Sequence, residues 1–100
     1  MEVENLLKNI TRPFIVAGLY KDEISVLNDI TLDYISHKIG QYDKIIRTLQ
    51  KKYACDFNKF TLNIKNKANF DQEDDWMDWK SAIEMRHSWN NVQKMIINNE

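Results

Sequence analysis

One apolar seam constrains this chain more than any other feature. Leu32, Ile35, Ile39, Tyr42, Ile46, Leu49 and Tyr53 follow one another at alternating steps of three and four residues. That is the a and d spacing of a heptad repeat, and it puts these side chains on one face of a helix. The segment carrying it, Asp22 to Tyr53, contains no Pro. At about 1.5 Å per residue it would span roughly 45–50 Å, more than the width of a compact domain of this length. The seam therefore needs partners along its length. The chain's own last helix can supply one and a second molecule another, so Leu32, Ile35, Ile39, Tyr42, Ile46 and Leu49 are the expected seam of a homodimer.

The rest of the composition agrees with helices. The chain has 100 residues, with 2 Gly, 1 Pro and 29% charged residues, a balance that suits helices better than a turn-rich sandwich or barrel. The expected fold class is all-α: a long heptad-bearing helix in an antiparallel helical hairpin with a C-terminal helix, plus short N-terminal and connecting helices, all in one domain over residues 1–100. A core of this size is near the lower end for folding alone, which keeps oligomerisation open.

Within that domain the expected segments are 1–20, 22–53, 56–66 and 71–97. In the first, Val3, Leu6, Leu7 and Ile10 fall at helical intervals, and the pattern stops before Thr11-Arg12-Pro13. The following Phe14 to Tyr20 reads as a buried strand or as a helix started by Pro13 and ended by Gly18; helix is preferred, because Pro suits a first turn and Gly a helix end. Asp22 is placed to cap the long helix, whose early turns add Ile24, Leu27 and Ile30 to the stripe. Gly40 is its weak point, costing about 1 kcal/mol relative to Ala unless it permits a close approach or a bend. Asp56 is placed to cap a short helix bearing Phe57, Phe60 and Ile64. The last helix begins near Asp71, with acids in its first turn and a stripe of Trp76, Trp79, Ala82, Ile83, Met85, Trp89, Val92 and Ile96.

Charge is distributed unevenly. The formal net charge is -1, yet Lys51 to Lys67 is basic and Asp71 to Glu100 acidic, so the two regions should attract one another. A strongly basic footprint for nucleic acid is absent, and binding to nucleic acid by this chain alone is not expected. The single cysteine, Cys55, cannot form an internal disulfide, which fits a reducing cytoplasm. The apolar run Phe14–Tyr20 is far too short to span a membrane.

Chemistry finds little foothold. The carboxylates Asp71, Glu73, Asp74, Asp75, Asp78 and Glu84 lack the Gly and the alternation of a calcium loop. His37 and His87 have no nucleophile at a telling spacing, and no phosphate cradle or cysteine pair occurs. A non-enzymatic chain without cofactor or metal is expected. Trp76, Trp79 and Trp89 read equally as core and as core shared with an interface, since indoles are costly to expose and are frequent interface anchors. Asp74, Asp75, Trp76, Asp78 and Trp79 are the expected partner-binding residues.

Two resemblances sharpen this. Gly18-Leu19-Tyr20-Lys21-Asp22-Glu23, with Val26, Leu27 and Ile30, resembles the loop and second helix of ribbon-helix-helix antitoxins, which insert an N-terminal strand into DNA; here that position holds the short, acidic Met1 to Asn5. A longer resemblance runs through Gly18 to Asp22, Lys51-Lys52-Tyr53, Asp56-Phe57, Phe60 and Glu73-Asp74-Asp75-Trp76-Met77-Asp78-Trp79. It is to small helical proteins of archaea and bacteria, some regarded as antitoxin-like partners of a toxin. Where their turn reads Gly-Met-Ser or Gly-Met-Thr, this chain has Ala54-Cys55-Asp56. The resemblance implies a helical partner-binding protein that masks a toxin-like protein with a basic surface. The alternatives are a DNA-binding regulator or a structural subunit.

Overall fold

The computed structural model describes residues 2–98, so Met1, the expected start of the first helix, lies outside the described residues. The helices in chain order are α1 (Val3–Val16), α2 (Glu23–Tyr53), α3 (Phe57–Ile64) and α4 (Phe70–Asn98). Among the described residues there is no strand, so the all-α class and the hairpin of α2 with α4 stand as expected. Packing divides the chain into two compact units, residues 1–34 and 35–100.

In the first unit, the two N-terminal segments anticipated on either side of Pro13 form the single helix α1. Pro13 forfeits one intrahelical hydrogen bond but sits in the last turn, and the Ala17 N–H still donates to its carbonyl at 3.0 Å. Thr11, fully buried, donates its hydroxyl to the Leu7 carbonyl at 2.9 Å. The helix closes in a Schellman arrangement: Gly18 at φ 79 donates to Ile15, and Leu19 to Phe14. Only Gly takes that backbone conformation without a Cβ penalty. The Phe14 and Tyr20 rings meet edge to face with centroids 6.1 Å apart, and the Tyr20 hydroxyl donates to Asp29. Val26 is the other fully buried side chain of this unit.

The caps follow the sequence. The Asp22 carboxylate accepts from the Ser25 N–H at 2.8 Å, and the Asp56 carboxylate from the Lys59 N–H at 2.8 Å. α4 starts one residue before the expected Asp71. Its cap is Asn69, whose side chain accepts from the Gln72 N–H at 2.9 Å while Gln72 accepts from the Asn69 N–H at 3.1 Å, a reciprocal capping box.

The second unit holds the main core: Ile46, Leu49, Phe60, Trp79 and Ala82, ringed by Tyr42, Tyr53, Cys55, Phe57, Ile64, Trp76 and Ile83. The pairs Lys52–Asp75 and Asp43–Arg86 run in opposite senses along the two chains of the hairpin, which fixes it as antiparallel. One part of the α4 stripe is corrected. Met85 is 38% and Val92 37% exposed, because the inward line continues through Ala82, Ile83 and Arg86. Arg86 takes the inward position to bond Asp43 at 2.7 Å.

Two backbone positions are suboptimal. Gly40 lies inside α2 with nothing within 4 Å of where a Cβ would stand, so neither close approach nor packing demands it. Ala54 holds φ 56, a left-handed conformation that costs a side chain about 1 kcal/mol or more. Gly40→Ala should therefore stabilise by about 1 kcal/mol and Ala54→Gly by up to about 1 kcal/mol. Urea melts of the two single variants check both, with either one destabilised overturning its assignment.

Candidate functional site

The start of α4 gathers most of the residues that the sequence singles out, and its helical rotation sorts them into two sets. Trp79 points inward and is fully buried. Its ring is enclosed by Phe60, Phe57 and Tyr53, with centroids 5.3, 5.6 and 6.3 Å away. Its indole N–H has no hydrogen-bond acceptor, an uncommon state for a buried donor. Trp76 is half-buried. Its N–H donates to Thr61 Oγ1 at 2.9 Å, whose own hydroxyl donates to the Phe57 carbonyl at 2.8 Å, so the indole is held to α3 as well as to α4. The Lys80 ammonium lies 5.4 Å from its centroid.

Asp75 also turns inward. One of its oxygens accepts from Lys52 Nζ at 2.6 Å and from the Tyr53 hydroxyl at 2.5 Å. The expected attraction between the basic stretch and the acidic one is realised here. The Lys52 bond first, and then the Tyr53 bond, holds the Asp75 carboxyl below its ordinary range. Tyr53 is pushed up by burial and by its bond to Asp75, and Lys52 is raised by the same carboxylate. Of the expected partner-binding residues, Asp75 and Trp79 are thus engaged inside the chain.

The outward set is different. Glu73, Asp74 and Asp78 are exposed, and no ion pair among the described residues engages them. Between them stand Phe70, 86% exposed, and Met77, 62% exposed. A shallow notch of about 240 Å³ opens beside Met77, lined by Ile64, Glu73, Trp76 and Met77. The result is an apolar strip with carboxylates on its flanks. Phe70 was missed in the sequence; its spacing of seven residues from Met77, on the face opposite Trp79, was the available signal.

The expected dimer seam lies elsewhere in burial. Ile35, Ile46 and Leu49 are buried in the single chain, and Leu32, Ile39 and Tyr42 are partly buried. Ile46 and Leu49 belong to the hairpin core, where α3 and α4 of the same chain pack on them. His37 contacts Gln41 at 3.2 Å on the surface, and His87 is exposed. Among the described residues no group of His, Cys, Asp and Glu could hold a metal ion, and no helix is long and apolar enough to cross a membrane.

The Asp75 cluster predicts a pH profile with two edges. Because Asp75 titrates lower in the fold, its contribution is complete above the unfolded value near 3.8 and is lost as pH falls through the lower folded value. Tyr53 and Lys52 titrate higher in the fold, so their contributions are complete below 10.0 and 10.5 and are lost as pH rises through the folded values. Asp75→Asn should lower the melting temperature at neutral pH and flatten both edges. Thermal melts across the pH range check this, and an unchanged profile would remove the cluster from the stability of the hairpin. Comparison with protein-family models, with curated proteins and with solved structures returns no match for the chain.

Proposed function

We propose that this chain is a non-enzymatic helical interaction module that uses the outward face at the start of α4 to cover a basic surface of a second protein, in the manner of an antitoxin-like partner acting in the cytoplasm. The observation that carries the reading is the exposed strip of Phe70 and Met77 flanked by Glu73, Asp74 and Asp78. Apolar residues rimmed by charge of one sign suit a partner whose own apolar contact is rimmed by the opposite sign. Charge of this kind steers the encounter, and the apolar contact sets how long the complex lasts. A toxin with a cationic nucleic-acid groove fits that chemistry, and masking such a groove needs no catalytic residue from this chain.

The DNA-reading alternative draws less support. It requires a strand before the first helix, at the position of Met1 to Asn5, whereas Val3 to Asn5 already lie in the helix Val3–Val16.

The test separates charge from fold. A variant with Glu73→Gln, Asp74→Asn and Asp78→Asn leaves the Asp75 cluster intact, and its stability should fall by no more than about 0.5 kcal/mol, because relieved repulsion among the acids offsets the lost helix-end pairing. Immobilised parent chain should capture a basic protein from extract of its native cells, with binding weakened by salt. The variant should bind the same protein more slowly, and Met77→Ala should release it faster. Capture that is indifferent both to the three acids and to salt would overturn the reading.

A further inference from the structure

α4 carries a second heptad-spaced line on its outer side: Asp78, Ser81, Met85, Ser88, Val92 and Met95, at alternating steps of three and four. Every residue of it is exposed, and Met95 is the most exposed of its apolar members at 59%. Three of its six members, Met85, Val92 and Met95, are apolar, and apolar residues at this spacing suit packing against another helix. Ile46 and Leu49 of the α2 seam are already packed in the chain's own hairpin core.

The two ends of the line are complementary. At one end Met95 projects as an unbranched, adaptable side chain. At the other, beside Asp78, a pocket of about 250 Å³ is lined by Lys44, Ile45, Thr48, Leu49 and Asp78, with Ile45 itself 40% exposed. Asp78 and Met95 are equally far in sequence from the midpoint of the line, between Arg86 and His87. So are Ser81 and Val92, and so are Met85 and Ser88. A twofold axis through that midpoint therefore exchanges projection with pocket and each serine with a larger residue.

Charge selects the same arrangement. A parallel pairing would set Glu73, Asp74 and Asp78 of two copies side by side. An antiparallel one sets Asp78 toward Met95 and Lys94 of the partner's final turns and leaves Glu73 alone set toward a carboxylate, Glu100, and the helix dipoles then run in opposite senses.

We propose that a second copy of this chain packs its α4 antiparallel on this face. Met95 of each copy enters the pocket beside Asp78 of the other, and each Ser88 receives the other copy's Met85. This is an isologous, closed contact; it takes up Asp78, the last acid of the masking face, and leaves Phe70 to Asp74 uncovered for a further partner. One helix pair and two pockets make a small interface, so association belongs on the order of tens of micromolar.

Sedimentation equilibrium of the full chain up to about 500 µM tests it without any partner protein, so its failure is distinct from failure of the masking role. The expected mass rises from monomer and stops at dimer. Ser88→Met overfills the position opposite Met85 and should weaken the dimer about tenfold or more; Met85→Ser combined with Ser88→Met exchanges the two and should restore it. Met95→Lys should weaken it as well, with circular dichroism unchanged for each of these surface variants. The proposal is overturned by a monomer throughout, by growth beyond the dimer, by a dimer that Ser88→Met tightens or leaves alone, or by one indifferent to Met95→Lys.

Discussion

The burial of Trp79 among Tyr53, Phe57 and Phe60 is the contact on which the rest of the second unit depends. It joins the end of α2, the whole of α3 and the start of α4 through one side chain. Aromatic groups of this size dominate the apolar area that a small core can remove from water. The contact also fixes the rotation of α4 about its own axis. With Trp79 inward, Asp75 is carried toward Lys52 and Tyr53, while Asp74 and Asp78 are carried out. The cost of leaving the Trp79 N–H without an acceptor, about 1–3 kcal/mol for such a donor, is small beside the aromatic burial that holds it there.

How much was legible follows from how single-valued each pattern is. The heptad seam of α2 has one apolar side, and both its helix and the caps at Asp22 and Asp56 could be read directly. α4 is harder because apolar residues populate several of its faces. Trp79, Ala82 and Ile83 define one line and Met77, Met85, Val92 and Met95 another, so periodicity proves a helix without giving its orientation. The burial of Trp79 and Ala82 and the pairings of Asp75 with Lys52 and Arg86 with Asp43 show which line faces the hairpin, and contacts between residues so far apart in sequence leave no mark in local spacing. At Pro13 the failure was one of position. Proline disturbs the turn before it, where its ring and missing N–H meet the carbonyl four residues back, yet here the helix runs through it to Phe14, Ile15 and Val16 before the Gly18 closure.

The candidate surface was legible in charge and only partly in residues. The concentration of carboxylates at the start of α4 is plain in the sequence, but their division is a matter of 100° steps around a helix whose rotation was unknown. Asp75 is half-buried and bonded to Lys52 and Tyr53, and Trp79, which reads equally as core and as core shared with an interface, is fully buried. Phe70, which with Met77 gives the outer face its apolar character, drew no attention because it stands at the end of the polar stretch that precedes the helix.

That division bears on energetics. Asp71 and Asp74 stand three residues apart, as do Asp75 and Asp78; Asp71 and Asp75, and Asp74 and Asp78, stand four apart. On a helix these are neighbouring like charges, each pair unfavourable by about 0.2–0.5 kcal/mol. The helix dipole compensates charge in the first turn and fades beyond it, so Asp78 gains little from it. Asn69 and Gln72 already satisfy capping donors without needing the acids. Lys52 neutralises Asp75 alone. The remaining carboxylates are therefore more than the helix requires for its own start, and a cationic surface laid across them would relieve repulsion that folding leaves in place. Binding and folding would then draw on the same electrostatic term, with the partner stabilising α4 as α4 covers the partner.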